Sequence, residues 1–148
     1  MKFIGLLCLA AASLGAATVD FIPAKDLKEA KDRLAAKKAP FGSEALKTWS
    51  NHYSMLAYRE ATGSSEVHEH EADIFVIESG EGTLVTGGKL VKPHEEKPGE
   101  LRGTSIDGGE KHMFGPGDVV HIPAGVPHQI LVSQGKPVAY FVLKVTGQ

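Results

Sequence analysis

The chain has 148 residues, of which 42% are hydrophobic, and this is enough for one domain with its own core. Its 16 Lys and Arg residues and 18 Asp and Glu residues give a net charge of −2. We therefore expect no nucleic-acid partner, because phosphate binding needs clustered basic side chains. A single Cys excludes a disulfide framework and Cys-rich zinc sites, which leaves seven His residues and the carboxylates as possible metal ligands.

Residues 1–17 have the pattern of a secretory signal peptide. Lys2 is followed by an apolar run at 3–14 and by small residues at 15–17. The run is shorter than the roughly 20 residues that span a bilayer. We therefore predict cleavage and export, to the periplasm or outside the cell, without stable membrane insertion. A buried first helix and a lipidated Cys8 are the weaker alternatives.

Residues 23–38 predict one short amphipathic helix. Leu27, Ala30 and Leu34 recur at helical spacing between charged residues, and Pro40 follows them as a stop signal. Because the apolar face is narrow and rich in alanine, we interpret the helix as a structural cover on a sheet. Residues 18–47 are accordingly assigned to an N-terminal helical extension.

From residue 48 to residue 148 the pattern changes to short apolar or alternating runs between Gly and Pro residues, which is typical of an all-β domain. The irregular stretch at 89–104 is interpreted as a surface loop, and a lid over a pocket is the alternative that the sequence leaves open. The predicted strands are 49–60, 66–70, 74–78, 83–86, 119–122, 129–132 and 138–145.

Two segments carry candidate chemistry. His68 and His70 are two residues apart, so on a strand both imidazoles would point to one face and could bind one ion. In the second segment, 117–128, Pro and Gly residues predict a rigid turn that presents His128 at the start of the next strand. Without His128, the Glu residues around His68 would favour an exposed polar strand.

These segments resemble the two motifs of the cupin superfamily. The second motif, Gly, five residues, Pro, one residue, Gly, two residues, His, is matched at every position from Gly117 to His128. It departs from the family pattern only at Val132, where Asn is expected. The resemblance covers about 53–144 and implies an all-β fold, a cupin-type antiparallel jelly-roll β-barrel, here preceded by the short N-terminal helix.

The resemblance also implies a divalent metal ion inside the barrel, held by the two His of the first motif, a Glu shortly after them and the His of the second motif. By position, the implied ligands are His68, His70, Asp73 and His128. Asp73 follows at a shorter spacing than the family's Glu and is one methylene shorter, so water takes the fourth position if it does not reach the ion. Glu66 and Glu71 are the other carboxylates close in sequence. Zinc, copper, iron, manganese and nickel are not distinguished.

Two hypotheses for the function follow. The first is a metal-dependent small-molecule enzyme, a dioxygenase or an isomerase, whose ion keeps an open position for substrate. The second is a non-catalytic module that binds a sugar or another small ligand, with a structural metal or none. The three His residues favour the first hypothesis. Tyr58, Arg59 and Arg102 are candidate contacts of an anionic substrate, and the resemblance leads us to expect a homodimer.

Overall fold

The structure is a computed structural model that describes residues 18–148, so the predicted signal peptide lies outside the described residues. Within that range, no helix is long and apolar enough to cross a membrane. One helix precedes the strands: α1 (Ala24–Ala36). The strands are β1 (Phe41–Thr48), β2 (His52–Arg59), β3 (Ser65–His68), β4 (Glu71–Ser79), β5 (Gly82–Thr86), β6 (Lys89–Val91), β7 (His94–Lys97), β8 (Glu100–Gly103), β9 (Ser105–Asp107), β10 (Glu110–Phe114), β11 (Val119–Ile122), β12 (His128–Leu131) and β13 (Val138–Thr146).

Two antiparallel sheets form the barrel. One has five strands in the order β1-β2-β13-β4-β11, and the other has six in the order β10-β5-β12-β3-β8-β7. Apolar side chains from both sheets meet between them, among them Phe75 and Tyr140 from the first and Leu84 and Ile130 from the second. This packing of two inner faces confirms the predicted all-β jelly-roll fold.

Helix α1 covers the outer face of the five-stranded sheet. Its buried residues Ala30 and Leu34 pack against Leu56 of β2 and Ala139 of β13. The helix that the apolar spacing predicts is therefore present, and it lies on the side of this sheet that faces away from the barrel interior.

Strand β1 occupies residues that the sequence assigned to the helical extension. Phe41–Thr48 pairs with β2 at the edge of the five-stranded sheet, so the sheet begins at Phe41 and not at residue 48. No strand was predicted there because most of its side chains are exposed or half-buried, and an edge strand with no buried face lacks an apolar alternation.

The stretch 89–104 is not an irregular surface loop, and this interpretation is wrong. It contains β6, β7 and β8, and β8 pairs with β3 along its whole length. These strands are three or four residues long, and every residue of β7 is exposed, so backbone pairing and not an apolar pattern defines them. Side chains of β7 line the central cavity, which agrees with the alternative of a cover over a pocket.

Candidate metal centre

A cavity of about 610 Å³ lies between the two sheets. Two rows of polar side chains, one from each sheet, face each other across it. In the six-stranded sheet, Arg102, Glu66 and His128 are direct neighbours across β8, β3 and β12. In the five-stranded sheet, Tyr53, Lys144 and Asp73 are direct neighbours across β2, β13 and β4. Non-consecutive strands therefore assemble the site.

The imidazoles of His68 and His128 lie next to each other at the centre of this cluster. Their ring centroids are 5.3 Å apart, and the two residues are only 5% and 4% exposed. Two of the four residues predicted as ligands, which come from the two separate sequence segments, are thus brought together in the barrel interior.

His70 does not join them, and the prediction that it shares a strand face with His68 is wrong. Strand β3 ends at His68, and the chain bends at residues 69 and 70 before β4 begins at Glu71. The backbone N–H of Glu69 donates to the carbonyl of Gly99 at 2.8 Å, and the His70 side chain is exposed. The alternation rule fails here because the strand has already ended.

Glu66 takes the position that was predicted for His70. It lies two residues before His68 on β3, so both side chains point to the same face. Its Oε2 atom is 3.3 Å from Nε2 of His68. Ligand atoms of Glu66, His68 and His128 lie within 4.8 Å of one another, close enough to hold one metal ion.

Asp73 reaches the site in spite of its shorter spacing. It is the third residue of β4, is 2% exposed, and points from the opposite sheet towards the two imidazoles. Its Oδ2 atom is 3.5 Å from Nε2 of His68 and 3.6 Å from Nε2 of His128. The short spacing does not prevent this, because the chain already bends at residues 69 and 70 and β4 begins at Glu71.

Each of the two carboxylates has one oxygen against a cation and the other against the imidazoles. Nη1 of Arg102 is 2.5 Å from Oε1 of Glu66, and Nζ of Lys144 is 2.5 Å from Oδ1 of Asp73. The inner oxygens, Oε2 and Oδ2, face the imidazole nitrogens. Such partners orient ligating carboxylates in metal sites.

The state of His128 also suits a ligand. Its Nδ1–H donates to the carbonyl of Val126 at 3.0 Å, which leaves the lone pair on Nε2, the atom that faces Asp73. Gly125, with φ of +77°, forms the preceding turn, and its N–H donates to the carbonyl of His68 at 2.8 Å. Burial lowers the pKa of His128, which favours the neutral imidazole that a metal requires.

Glu66 is ionised at neutral pH. Burial raises the pKa of its carboxyl, but the contact with His68 and the charge of Arg102 outweigh burial and lower the pKa to about 2. A carboxylate that stays charged in a buried position needs cations around it, and a metal ligand must be deprotonated. The observed surroundings meet both conditions.

One buried atom tests whether a metal fits this site. Nε2 of His68 makes no hydrogen bond to any described residue, although it is buried and faces Glu66 and Asp73. A buried polar atom without a partner costs about 1–3 kcal/mol, so such atoms are rare unless something else satisfies them. Two imidazoles and two carboxylates are also donors that Zn²⁺, Fe²⁺ and Mn²⁺ accept. The residues therefore fit a divalent metal ion.

Glu100 and Lys144 were not identified from the sequence. Glu100 is buried beside Nδ1 of His68 at 3.8 Å and contacts Arg102, while Nζ of Lys97 lies 3.0 Å from it. Burial raises the pKa of Glu100, but Lys97 and Arg102 outweigh it and keep the pKa below its ordinary value. No local pattern points to these residues, because they enter the site through strand pairing across the chain.

Tyr53 connects to the site through a polar chain. Its hydroxyl donates to Oε2 of Glu71 at 3.1 Å, and Nζ of Lys144 lies 3.8 Å from the same oxygen and 2.5 Å from Asp73. Burial, together with the charge of Glu71, raises the pKa of Tyr53 above its ordinary value. Tyr53 and Lys144 both line the cavity, and the raised pKa of Tyr53 keeps its hydroxyl protonated at neutral pH.

The candidates for contact with an anionic substrate separate into two groups. Arg59 and Arg102 line the cavity. Tyr58 instead points to the other side of the sheet, where it packs in the cluster beneath α1. Tyr58 is therefore excluded from the site.

Comparisons with known proteins identify the fold. No protein-family model matches the sequence, and no curated protein matches it. Among solved structures, protein BH2720 from Bacillus halodurans is similar with a TM-score of 0.59 and 16% identity, over 90% of this chain and 86% of that one. The cupin domain of Cnp3 from Schizosaccharomyces pombe is similar with a TM-score of 0.55 and 12% identity, over 73% and 66%.

The DMSP lyase DddQ from Ruegeria pomeroyi DSS-3 is similar with a TM-score of 0.53 and 20% identity, over 75% of this chain. The match spans about half of the lyase, 49% of its length. Identities this low show a shared fold and leave the reaction open. On this evidence, and on the two facing sheets described above, the protein has the cupin fold.

Proposed function

We propose that this protein is an exported metal-dependent enzyme that carries out acid–base chemistry, of the isomerase or lyase type, on a small organic molecule. The observation that carries the proposal is the convergence of two buried imidazoles and two carboxylates in the cavity, with a cation on the outer oxygen of each carboxylate. The proposed ligands are His68, His128, Glu66 and Asp73. A divalent ion bound there would supply Lewis-acid activation of a substrate oxygen.

The protein's own residues have separate tasks in this proposal. Arg102 and Lys144 fix the orientation of the carboxylates through the contacts described above. Phe75, Ile130 and Val142 give the cavity an apolar wall that holds the body of a ligand and excludes water. Tyr53, which keeps its proton, can donate a hydrogen bond to a substrate atom that becomes negative during the reaction.

The polar groups beside the site favour acid–base chemistry over the oxygenase that the sequence also allowed. Tyr53 donates a hydrogen bond to Glu71, and Lys144 contacts Asp73 beside the same Glu71 carboxylate. Polar groups of this kind next to a metal centre suit the acid–base steps of an isomerase or a lyase. In the non-catalytic alternative, the same groups would serve only to bind a ligand.

Metal content tests the first part of the proposal. We expect about one zinc, iron or manganese ion per wild-type chain by elemental analysis, and a large loss in His68→Ala and His128→Ala. His70→Ala is the matched control, because it removes an exposed imidazole two residues from His68 and should keep the ion. A wild-type protein that neither contains nor can be loaded with a divalent metal would contradict the proposal.

Isotope exchange tests the second part. Metal-loaded protein is incubated in D₂O with a panel of small hydroxy and keto acids, and the carbon-bound hydrogens are followed by NMR. Metal-dependent exchange or elimination without oxygen consumption supports isomerase or lyase chemistry. Oxygen consumption without exchange would indicate an oxygenase, and ligand binding without either reaction would indicate a binding module.

A further inference from the structure

Arg59 differs from the other cations that line the cavity. Three of the four have a carboxylate oxygen within 3.0 Å: Lys144 (Asp73), Arg102 (Glu66) and Lys97 (Glu100). The carboxylate oxygen nearest to Arg59 is Oε1 of Glu66, 3.9 Å from Nη2, and that oxygen already contacts Arg102. Arg59 is nevertheless 6% exposed. A buried charge without a close partner is destabilising, so its retention calls for a ligand.

The guanidinium of Arg59 is held in place by uncharged contacts. Its carbon lies 4.4 Å from the centroid of the Phe41 ring, and Nε donates to the hydroxyl of Tyr140 at 3.4 Å. This is the only hydrogen bond of the Arg59 side chain among the described residues. The two terminal nitrogens therefore keep their donors, which form a planar fork suited to a carboxylate.

Gly63 leaves room for this arrangement. A Cβ added at Gly63 would lie 1.8 Å from Nη1 of Arg59. Any side chain at this position would push the guanidinium away, so the absence of one is required for the observed position. The guanidinium fork is oriented before a ligand arrives by three contacts, with the backbone at Gly63, the ring of Phe41 and the hydroxyl of Tyr140.

The position of Arg59 relative to the metal centre sets the size of the ligand. Only the carboxylate of Glu66 separates them, because Oε1 is 3.9 Å from Arg59 and Oε2 is 3.3 Å from Nε2 of His68. A short molecule can contact the guanidinium with one end and the metal centre with the other. A bound divalent ion would also raise the positive charge of the cavity and favour an anionic ligand.

We propose that the cavity binds a small organic acid whose carboxylate is held by the Arg59 fork, with its other end at the metal centre. The contact between the other end of the acid and the metal centre rests on the proposed function. The binding of the carboxylate by Arg59 does not. It narrows the substrate class from any small molecule to carboxylic acids.

The test compares acids with their neutral amides. Acetate, hexanoate, benzoate and phenylacetate, each paired with its amide, are titrated by NMR onto the protein with and without Zn²⁺. We expect at least one acid to bind about ten-fold or more tightly than its amide, since a charge-assisted bidentate contact is lost in the amide. If no acid is preferred over its amide, the inference is overturned.

Three variants locate the contact. Arg59→Gln should abolish the preference for the acid, and Gly63→Ala should reduce it at unchanged net charge by displacing the guanidinium. Arg33→Gln is the matched control, because Arg33 lies on α1 and pairs with Glu44 outside the cavity. If Arg59→Gln does not fold, the result for Gly63→Ala is used alone. An unchanged preference for the acid over its amide in either variant overturns the inference.

The Zn²⁺-free arm separates this inference from the proposed function. Preference for the acid in metal-free wild type, lost in Arg59→Gln, supports the inference even if no metal binds. Preference that requires Zn²⁺ and persists in Arg59→Gln would place the carboxylate on the metal and would overturn it.

Discussion

Glu66 and Asp73 each divide their two oxygens between a cation and the imidazoles. Arg102 contacts Glu100 as well as Glu66, and Glu100 itself lies beside His68. One guanidinium thereby positions two acidic side chains of the site. Lys144, with a single ammonium, serves Asp73 and Glu71 in the opposite sheet. The electrostatic balance of the site therefore depends on residues that do not face the metal.

This dependence gives a prediction for Arg102. We expect Arg102→Gln to weaken Zn²⁺ binding by about 10–100-fold, as is typical for residues that orient ligands. Glu66→Gln should weaken it more, because a ligand is lost and Arg102 is left without that partner. Calorimetric titration with competing chelator measures both, with Arg33→Gln as the control. Equal affinity in Arg102→Gln and wild type would contradict the assigned role.

Tyr53 offers a second prediction at this scale. Tyr53→Phe removes the hydroxyl but leaves the metal ligands in place, so metal content should stay unchanged. If the hydroxyl donates a hydrogen bond to an atom that becomes negative in the reaction, turnover in the exchange assay should fall by about 10²–10³-fold. Tyr58→Phe is the matched control, since Tyr58 faces the cluster under α1. A Tyr53→Phe enzyme with full turnover would exclude Tyr53 from this role.

The part of the site that could be predicted from the sequence is the part encoded locally. His68 and His128 follow from two short motifs, and the resemblance implies Asp73 by its position shortly after the first of them. The sequence did not show that Glu66, and not His70, lies beside His68 at the site. This depends on whether β3 ends at residue 68 or at residue 70. Arg102 and Lys144 acquire their roles only through pairing with distant strands.

At the scale of secondary-structure elements, α1 lies on the outer face of the five-stranded sheet, on the side opposite the site. Leu34 is 2% exposed, and its Cδ2 atom packs against the backbone of β1 at Gly42. Arg33 reinforces the same contact through Glu44, at 2.6 Å. The helix therefore stabilises the sheet from its outer face.

We accordingly predict that Leu34→Ala lowers the free energy of unfolding by about 2–5 kcal/mol, the usual cost of a large-to-small change in a core. Metal content should remain at the wild-type level, because the site lies on the inner face. Urea denaturation measures the first effect and elemental analysis the second, with the exposed Lys25→Ala as control. A change in urea midpoint no larger than that of the control would show that the helix contributes little.

The strands of the fold differ in how far the sequence predicts them. Long strands with a buried face, such as β4 and β13, follow from their apolar runs. Strands β1 and β7 do not, since their residues are mostly exposed and no buried apolar face marks them in the sequence. Strand β8 also lies within 89–104, so the loop interpretation of that stretch placed Glu100 and Arg102 outside the sheet.

At the scale of the whole molecule, the N-terminal segment bears on where the protein acts. Val19 and Phe21, at the start of the described residues, are 94% and 83% exposed, so a protease could reach the chain next to the predicted cleavage site. We predict that the exported protein starts at Thr18. Mass spectrometry of extracellular and periplasmic fractions from an expressing bacterium checks this. Retention of the full-length chain in the cytoplasm would contradict export.

The candidate metal centre lies between the two sheets of the barrel. Glu66, His68 and His128 come from the six-stranded sheet, whereas Asp73 comes from the five-stranded one. An ion bound by all four would link the two sheets directly, in addition to the apolar packing between them. Metal binding should therefore stabilise the folded barrel as a whole.

We predict that Zn²⁺ raises the melting temperature of the wild-type protein by several degrees. A ligand that binds only the folded state contributes about 2.7 kcal/mol at a free concentration of 100 times its Kd. The increase should vanish with excess chelator and in His68→Ala, and it should persist in His70→Ala, whose imidazole lies outside the site. Circular dichroism melts record the shift. Equal stabilisation of wild type and His68→Ala would mean that Zn²⁺ binds elsewhere, since the buried imidazole of His68 faces both Glu66 and Asp73.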